Sequence, residues 1–130
     1  MKNFPTIVCL CGSTRFKELF EDANAIETNL GRIVLSVGRY GLDVNDEQKK
    51  MLDELHLRKI DLASEILVIA PHCRICPECK KPTRQMYQFC ACGRYLGHMT
   101  PVPYIGESTR KEIEYAVANN KTIRYFECEL

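Results

Sequence analysis

The chain has 130 residues, enough for one domain with one substantial core. Its formal net charge is +1, so no global electrostatic attraction to nucleic acid or an anionic membrane surface is expected. No apolar stretch is long enough to span a bilayer, and Met1-Lys-Asn-Phe-Pro5 leads straight into a short apolar run without a signal-peptide core, so a cytoplasmic protein with no membrane partner is the expectation.

Thr6-Ile-Val-Cys-Leu-Cys11 is a continuous apolar run and reads as a strand buried on both faces. Gly12-Ser-Thr-Arg15 follows as a tight loop. Phe16, Leu19, Phe20 and Ala23 then recur at helical spacing, with Leu30 extending the stripe and Gly31 as a stop signal. Arg32-Ile-Val-Leu-Ser36 gives a second strand, followed by the glycine-containing loop Gly38-Arg-Tyr-Gly41. Asn45-Asp-Glu-Gln48 has the pattern of a capping box and opens a second helix, whose apolar side is supplied by Met51, Leu52, Leu55, Leu62 and Ala63. Glu65-Ile-Leu-Val-Ile-Ala70 is a third buried strand, ended by Pro71. After a cysteine-rich stretch, Thr109-Arg-Lys-Glu112 fits another capping box. Thr109 is the expected N-cap, and Ile113, Ala116 and Val117 are the buried stripe. Asn119-Asn120 can end this helix in a left-handed conformation. Thr122-Ile-Arg-Tyr-Phe126 is the last strand.

The order is βαβαβ, an insertion, then αβ. Such alternation predicts an α/β fold with a parallel sheet and helices on both faces. Ligands of open α/β sheets bind beyond the carboxyl ends of the strands, where the loops 12–15, 36–43 and 104–112 should converge. Glu112, at the predicted start of its helix, has two readings. The helix dipole would favour an ionised carboxylate there, which is the form a nucleophile needs. The plainer reading is that it caps its own helix.

Residues 72–103 interrupt the alternation and hold five of the eight cysteines. A disulfide framework would spread its cysteines through a small secreted chain, whereas a cluster in a cytosolic protein reads as metal ligands. Cys76-Pro-Glu-Cys79 and Cys90-Ala-Cys92, ten residues apart, form a four-thiolate set of the kind that holds structural zinc, with Cys73 as an alternative ligand and His72 or His98 as substitutes. A closed four-cysteine site has no open position for catalysis. Lys80, Lys81, Arg84 and Arg94 make the insertion locally basic, so nucleic-acid binding is one reading. The favoured one is that the metal folds a loop too small for its own core. Cys9, Cys11 and Cys128 read as packing residues or plain thiols.

Cys11-Gly-Ser-Thr-Arg15 after the first strand, Glu65-Ile-Leu-Val-Ile69 as third strand, and Ile105-Gly-Glu-Ser-Thr-Arg-Lys-Glu-Ile-Glu-Tyr-Ala116 together resemble the nucleoside 2-deoxyribosyltransferase-like superfamily. The resemblance spans residues 6–71 and 104–126. It implies a flavodoxin-like or Rossmann-like three-layer fold, frequent homodimers, a nucleoside or nucleotide substrate and no organic cofactor. In the enzymes of that group a glutamate attacks the anomeric carbon and displaces the base, and Glu112 stands at the matching position. Deoxynucleoside 5′-phosphate N-hydrolases release the sugar to water, and the transferases pass it to another base. By the same resemblance, Gly12, Ser13 and Arg15 sit near the sugar or a 5′-phosphate, and Gly106 and Ser108 contribute at the helix start. The chain departs from the pattern where the N-hydrolases carry a second acid. Leu57 stands there, Asp61 a turn later is the candidate base-protonating acid, and His56 and Lys59 are other polar options. Glu114 replaces a glycine, and the insertion has no counterpart in the best-known enzymes. Three functions therefore stand side by side: an N-glycosidase or transferase, a non-catalytic nucleotide-sensing module, and a zinc-ribbon interaction protein.

Overall fold

The computed structural model of the chain describes residues 4–40 and 44–127. Gly41, Asp43 and Cys128 lie outside the described residues, as do positions 1–3. Four parallel strands form the main sheet: β1 (Ile7–Gly12), β2 (Ile33–Leu35), β3 (Glu65–Ile69) and, after the insertion and the last helix, β7 (Thr122–Phe126). Their order is β2-β1-β3-β7. The register pairs Gly12 with Ile69 and Ile69 with Phe126, so the carboxyl ends of three strands align at one edge. The chain leaves β1 toward β2 on one side and returns to β3 on the other. That reversal marks the crevice where open α/β sheets bind ligands.

Alternation along the inner strands splits the core in two, as a period of two requires. Val8, Leu10, Leu67 and Ile69 face the first helix, α1 (Lys17–Asn29), and pack with Phe16, Leu19, Phe20 and Ala23. Cys9, Cys11, Ile66 and Val68 face α2 (Asp46–Leu62) and α3 (Glu107–Ala118), and pack with Ile60, Ala63 and Ala116. Helices thus cover both faces of the sheet. Gly12 is required by close packing, since a Cβ there would fall 2.9 Å from the Ile69 Cβ.

The Asn45–Gln48 capping box is present in both directions, and Asn120 takes the left-handed conformation at φ 60°. Other expectations need correction. Leu30 is exposed at the C-cap of α1, and the chain turns away there through Gly31 at φ 85°. Met51, Leu55 and Leu62 point to solvent. The inward stripe of α2 is instead Leu52, His56, Ile60 and Ala63, which also has helical spacing but includes a histidine. Thr109 is not an N-cap. The helix α3 begins earlier, with Gly106 as N-cap and no capping side chain, and Thr109 is buried against the sheet. Its inward stripe is Thr109, Glu112, Ile113 and Ala116, and Val117 is exposed. Glu112 therefore lies in the second turn and faces inward, not at the first turn as a cap.

The insertion forms a separate three-stranded antiparallel sheet, ordered β5 (Pro82–Arg84), β4 (His72–Ile75), β6 (Val102–Pro103). Arg74 staples its loops by donating to the carbonyls of Met99 at 3.0 Å and Gln85 at 2.9 Å. No described helix is long and apolar enough to cross a membrane.

Candidate active site and metal centre

A cavity of about 410 Å³ opens at the carboxyl edge of the sheet. The loop after β1 supplies Gly12 and Ser13, the segment after β2 supplies Gly38 and Arg39, α2 supplies Lys49, Asp53, His56 and Lys59, and the start of α3 supplies Gly106, Ser108 and Glu112. The described parts of the three loops expected to converge do so. Lys49 of α2 donates to Asp53 on its own helix at 2.9 Å and to Ser108 Oγ at the start of α3 at 3.4 Å, so it ties the two helices together at the cavity. Lys59 donates to the Ser36 carbonyl at 2.7 Å and ties the segment after β2 to α2.

Glu112 reaches the cavity from the buried stripe of α3, and its side chain is 15 % exposed. Its Oε1 lies 4.0 Å from His56 Nε2. Burial pushes the Glu112 carboxyl up to about 7. The positive charge on His56 opposes this, and the negative charges of Cys9 and Asp53 add to it. Burial by itself would lower the His56 pKa, but the hydrogen bond and charge of Cys9, together with Glu112, outweigh it and raise the value. His56 Nε2 also sits 3.6 Å from Cys9 Sγ and 3.5 Å from Cys11 Sγ. Cys9 is lowered to about 6, mainly by the hydrogen bond from Cys11 against the opposing effect of burial; Cys11 is raised well above its usual range by that same pairing and by burial.

The predicted site residues divide into two groups. Gly12, Ser13, Gly106, Ser108 and Glu112 all line the cavity. Ser13 Oγ also accepts from the Arg15 backbone N–H and Nε, so it caps the short 3₁₀ turn Thr14–Phe16. Arg15 is exposed over the Tyr104 ring, 5.7 Å from its centroid, and does not line the cavity. Tyr104 lines the cavity and packs edge-on against Phe16. Asp61 is not brought to the cavity. It accepts from the Tyr115 hydroxyl at 2.5 Å and pairs with Arg58 at 3.1 Å on the outer surface between α2 and α3. Asp53 and Lys49 stand at the cavity and were not singled out from the sequence. Their helical spacing from His56 and Lys59 on one face of α2 is the signal that could have found them.

In the insertion, the sulfurs of Cys76, Cys79, Cys90 and Cys92 lie within 4.8 Å of one another and could hold a metal ion. Cys76 and Cys92 sulfurs are 3.7 Å apart, and those of Cys79 and Cys90 are 3.3 Å apart. A tetrahedral zinc–thiolate site sets such edges at about 3.8 Å. The two halves are built alike. Lys80 follows Cys79 at φ 64° and Gly93 follows Cys92 at φ 97°, and each backbone N–H donates to the carbonyl of the first cysteine of its pair, Lys80 to Cys76 at 2.9 Å and Gly93 to Cys90 at 2.8 Å. Cys73 does not join them, because alternation along β4 turns it into the main core, in the same buried cluster as Phe16 and Ile69. His72 pairs with Glu127 at 2.9 Å, and His98 stacks on Tyr95. Of the basic residues, Arg94 pairs with Glu78 at 2.6 Å and Arg84 with Glu18 at 3.7 Å, which offsets the local positive charge.

No protein-family model matches the chain, and no curated protein matches it.

Proposed function

We propose that the protein binds a nucleoside or nucleotide in this cavity and cleaves or transfers its N-glycosidic bond through Glu112. The observation that carries this reading is the buried, inward-facing Glu112 opening on a cavity beside Gly12 and Ser13. The order β2-β1-β3-β7 supports a flavodoxin-like fold, and with it the resemblance to the nucleoside 2-deoxyribosyltransferase-like proteins.

The chemistry follows from the surroundings. An ionised Glu112 oxygen attacks the anomeric carbon as the carbon–nitrogen bond breaks. The bonding pair leaves with the base, which takes a proton from water in the open cavity. Water then attacks the same carbon, releasing the sugar and restoring the carboxylate, and its proton goes to solvent. A second base in place of that water gives transfer. A carboxylate against an oxocarbenium-like centre is the arrangement of retaining glycosidases. The uncapped start of α3 aims its free N–H groups toward the cavity wall formed by Gly106, Glu107 and Ser108, and Lys49 and Arg39 add positive charge. Together they suit a 5′-phosphate.

The ion at the four-cysteine cluster is assigned as structural zinc, with Cys76, Cys79, Cys90 and Cys92 as its ligands. The homodimer is part of this reading, and the exposed Met51, Leu55 and Leu62 on α2 offer it a face. Sedimentation at two protein concentrations tests it. For the activity, incubation with a panel of deoxynucleoside monophosphates should release free base, and Glu112→Ala should abolish release. Folded protein that releases nothing across the panel, or a Glu112→Ala variant that still turns over, overturns the reading.

A further inference from the structure

Cys9 and Cys11 stand two apart on a buried strand, so both sulfurs project from the same face of the sheet. That face meets the inward stripes of α2 and α3. At the meeting point stand His56, where the stripe of α2 would ordinarily carry an apolar side chain, and Glu112, where that of α3 would. Burying an imidazole and a carboxylate is costly unless each finds partners. Among the described residues, the donor atoms of Cys9, Cys11 and His56 lie within 4.8 Å of one another.

The distances are those of a coordination sphere. A tetrahedral zinc ion with sulfur at about 2.3 Å and imidazole nitrogen at about 2.0 Å sets a sulfur–nitrogen edge of about 3.5 Å. His56 Nε2 lies 3.6 Å from one sulfur and 3.5 Å from the other. A carboxylate oxygen as fourth ligand requires a nitrogen–oxygen edge of about 3.3 Å. Glu112 Oε1 stands at 4.0 Å from that nitrogen, within reach of a small side-chain rotation. The cavity reaches both His56 and Glu112 and supplies an entry path. Charge also balances. Two thiolates and a carboxylate around a divalent ion leave one negative charge, and Lys59 lies within electrostatic range of Cys9 and His56.

We infer that Cys9, Cys11, His56 and Glu112 form a second metal site, taking Zn²⁺, distinct from the four-cysteine cluster of the insertion. Binding displaces to solvent every proton held on the four ligands, whether on thiol, imidazolium or carboxyl. The donor set is mixed where that of the insertion is all thiolate, and it lies at the cavity rather than away from it. One consequence rests on the glycosidic reading and stands or falls with it: a bound ion holds Glu112 as ligand, so metal occupancy and attack by Glu112 exclude each other.

The test uses the full chain and needs no substrate, so its failure leaves the glycosidic reading untouched. Titration of metal-free, refolded wild-type protein with Co²⁺ should saturate at two equivalents. The two should differ in thiolate-to-cobalt absorption, with one set of four thiolates and one set of two. The double variant Cys9→Ser/Cys11→Ser should take one equivalent and keep the four-thiolate spectrum. Glu112→Gln, which alters one ligand and no packing volume, should weaken the two-thiolate equivalent at least about tenfold and leave the other unchanged. Saturation of the wild type at one equivalent overturns the inference, as does a second equivalent whose spectrum persists in folded Cys9→Ser/Cys11→Ser protein.

Discussion

The parallel layer and the insertion solve the same problem with different means. The layer has a continuous core: Val8, Leu10, Ile60, Ile66, Val68 and Phe20 are all essentially inaccessible to solvent. The insertion has Leu96 and two cysteines at its centre, with Cys79 and Met99 partly buried around them. Apolar burial at about 25 cal/mol per Å² stabilises the first and is too scant to order the second. A loop of that size can be ordered by four metal–sulfur bonds instead. The contrast teaches where each region is vulnerable. The layer should lose stability by degrees as its core is cut, and an insertion ordered by a metal ion should lose it all at once on chelation.

The largest effect expected is from metal removal. Structural zinc contributes on the order of 10 kcal/mol in small metal-folded modules. Chelation should open residues 76–99 to protease while the β1, β3 and β7 peptides stay protected, read by mass spectrometry of a limited digest. Loss of protection in both regions together would break the comparison. The next is Ile60→Ala, which empties a fully buried site between α2 and the sheet and should cost about 2–5 kcal/mol in urea unfolding. The same truncation at Leu96 should cost less with metal bound, since four metal–sulfur bonds would then hold the insertion together.

The third effect is on rate. Glu112 is held at about 7 and must be ionised to attack. A group whose value is raised keeps its proton up to the shifted value, so activity should climb with pH through about 7. At one unit below, about a tenth of the sites are ionised and the rate should be about tenfold under its plateau. A rate that is flat between pH 5 and 8 would remove Glu112 from the role. The smallest effect is at Arg94, whose pair with Glu78 is largely solvated. Arg94→Ala should change stability by no more than about 1 kcal/mol, and a larger loss in thermal unfolding would mean that the insertion leans on its surface charges after all.

Much of the layer was legible because its signals are local. The apolar runs of β1 and β3, the capping box at Asn45 and the left-handed Asn120 each depend on a few neighbouring residues. The four sulfurs of the insertion were legible for the same reason, since a short spacing and a turn bring each pair together. The faces of the helices were harder. On α3, Thr109 and Glu112 satisfy a capping pattern and an inward stripe equally well, and propensity does not choose between them. Packing against the sheet chose the stripe. On α2, Met51, Leu55 and Leu62 form one plausible apolar face and Leu52, Ile60 and Ala63 another. The second won because its apolar residues line up beneath the strands, even at the cost of burying His56.

By itself, then, the sequence determined the order of elements, the parallel alternation and the thiolate cluster, all of which rest on periodicity and on contacts between near neighbours. Only the tertiary structure decided that Cys9, Cys11, His56 and Glu112 meet at one point. They come from three elements up to about a hundred residues apart, and their meeting depends on strand order and helix rotation. Those are set by how the whole core packs, which no local spacing records.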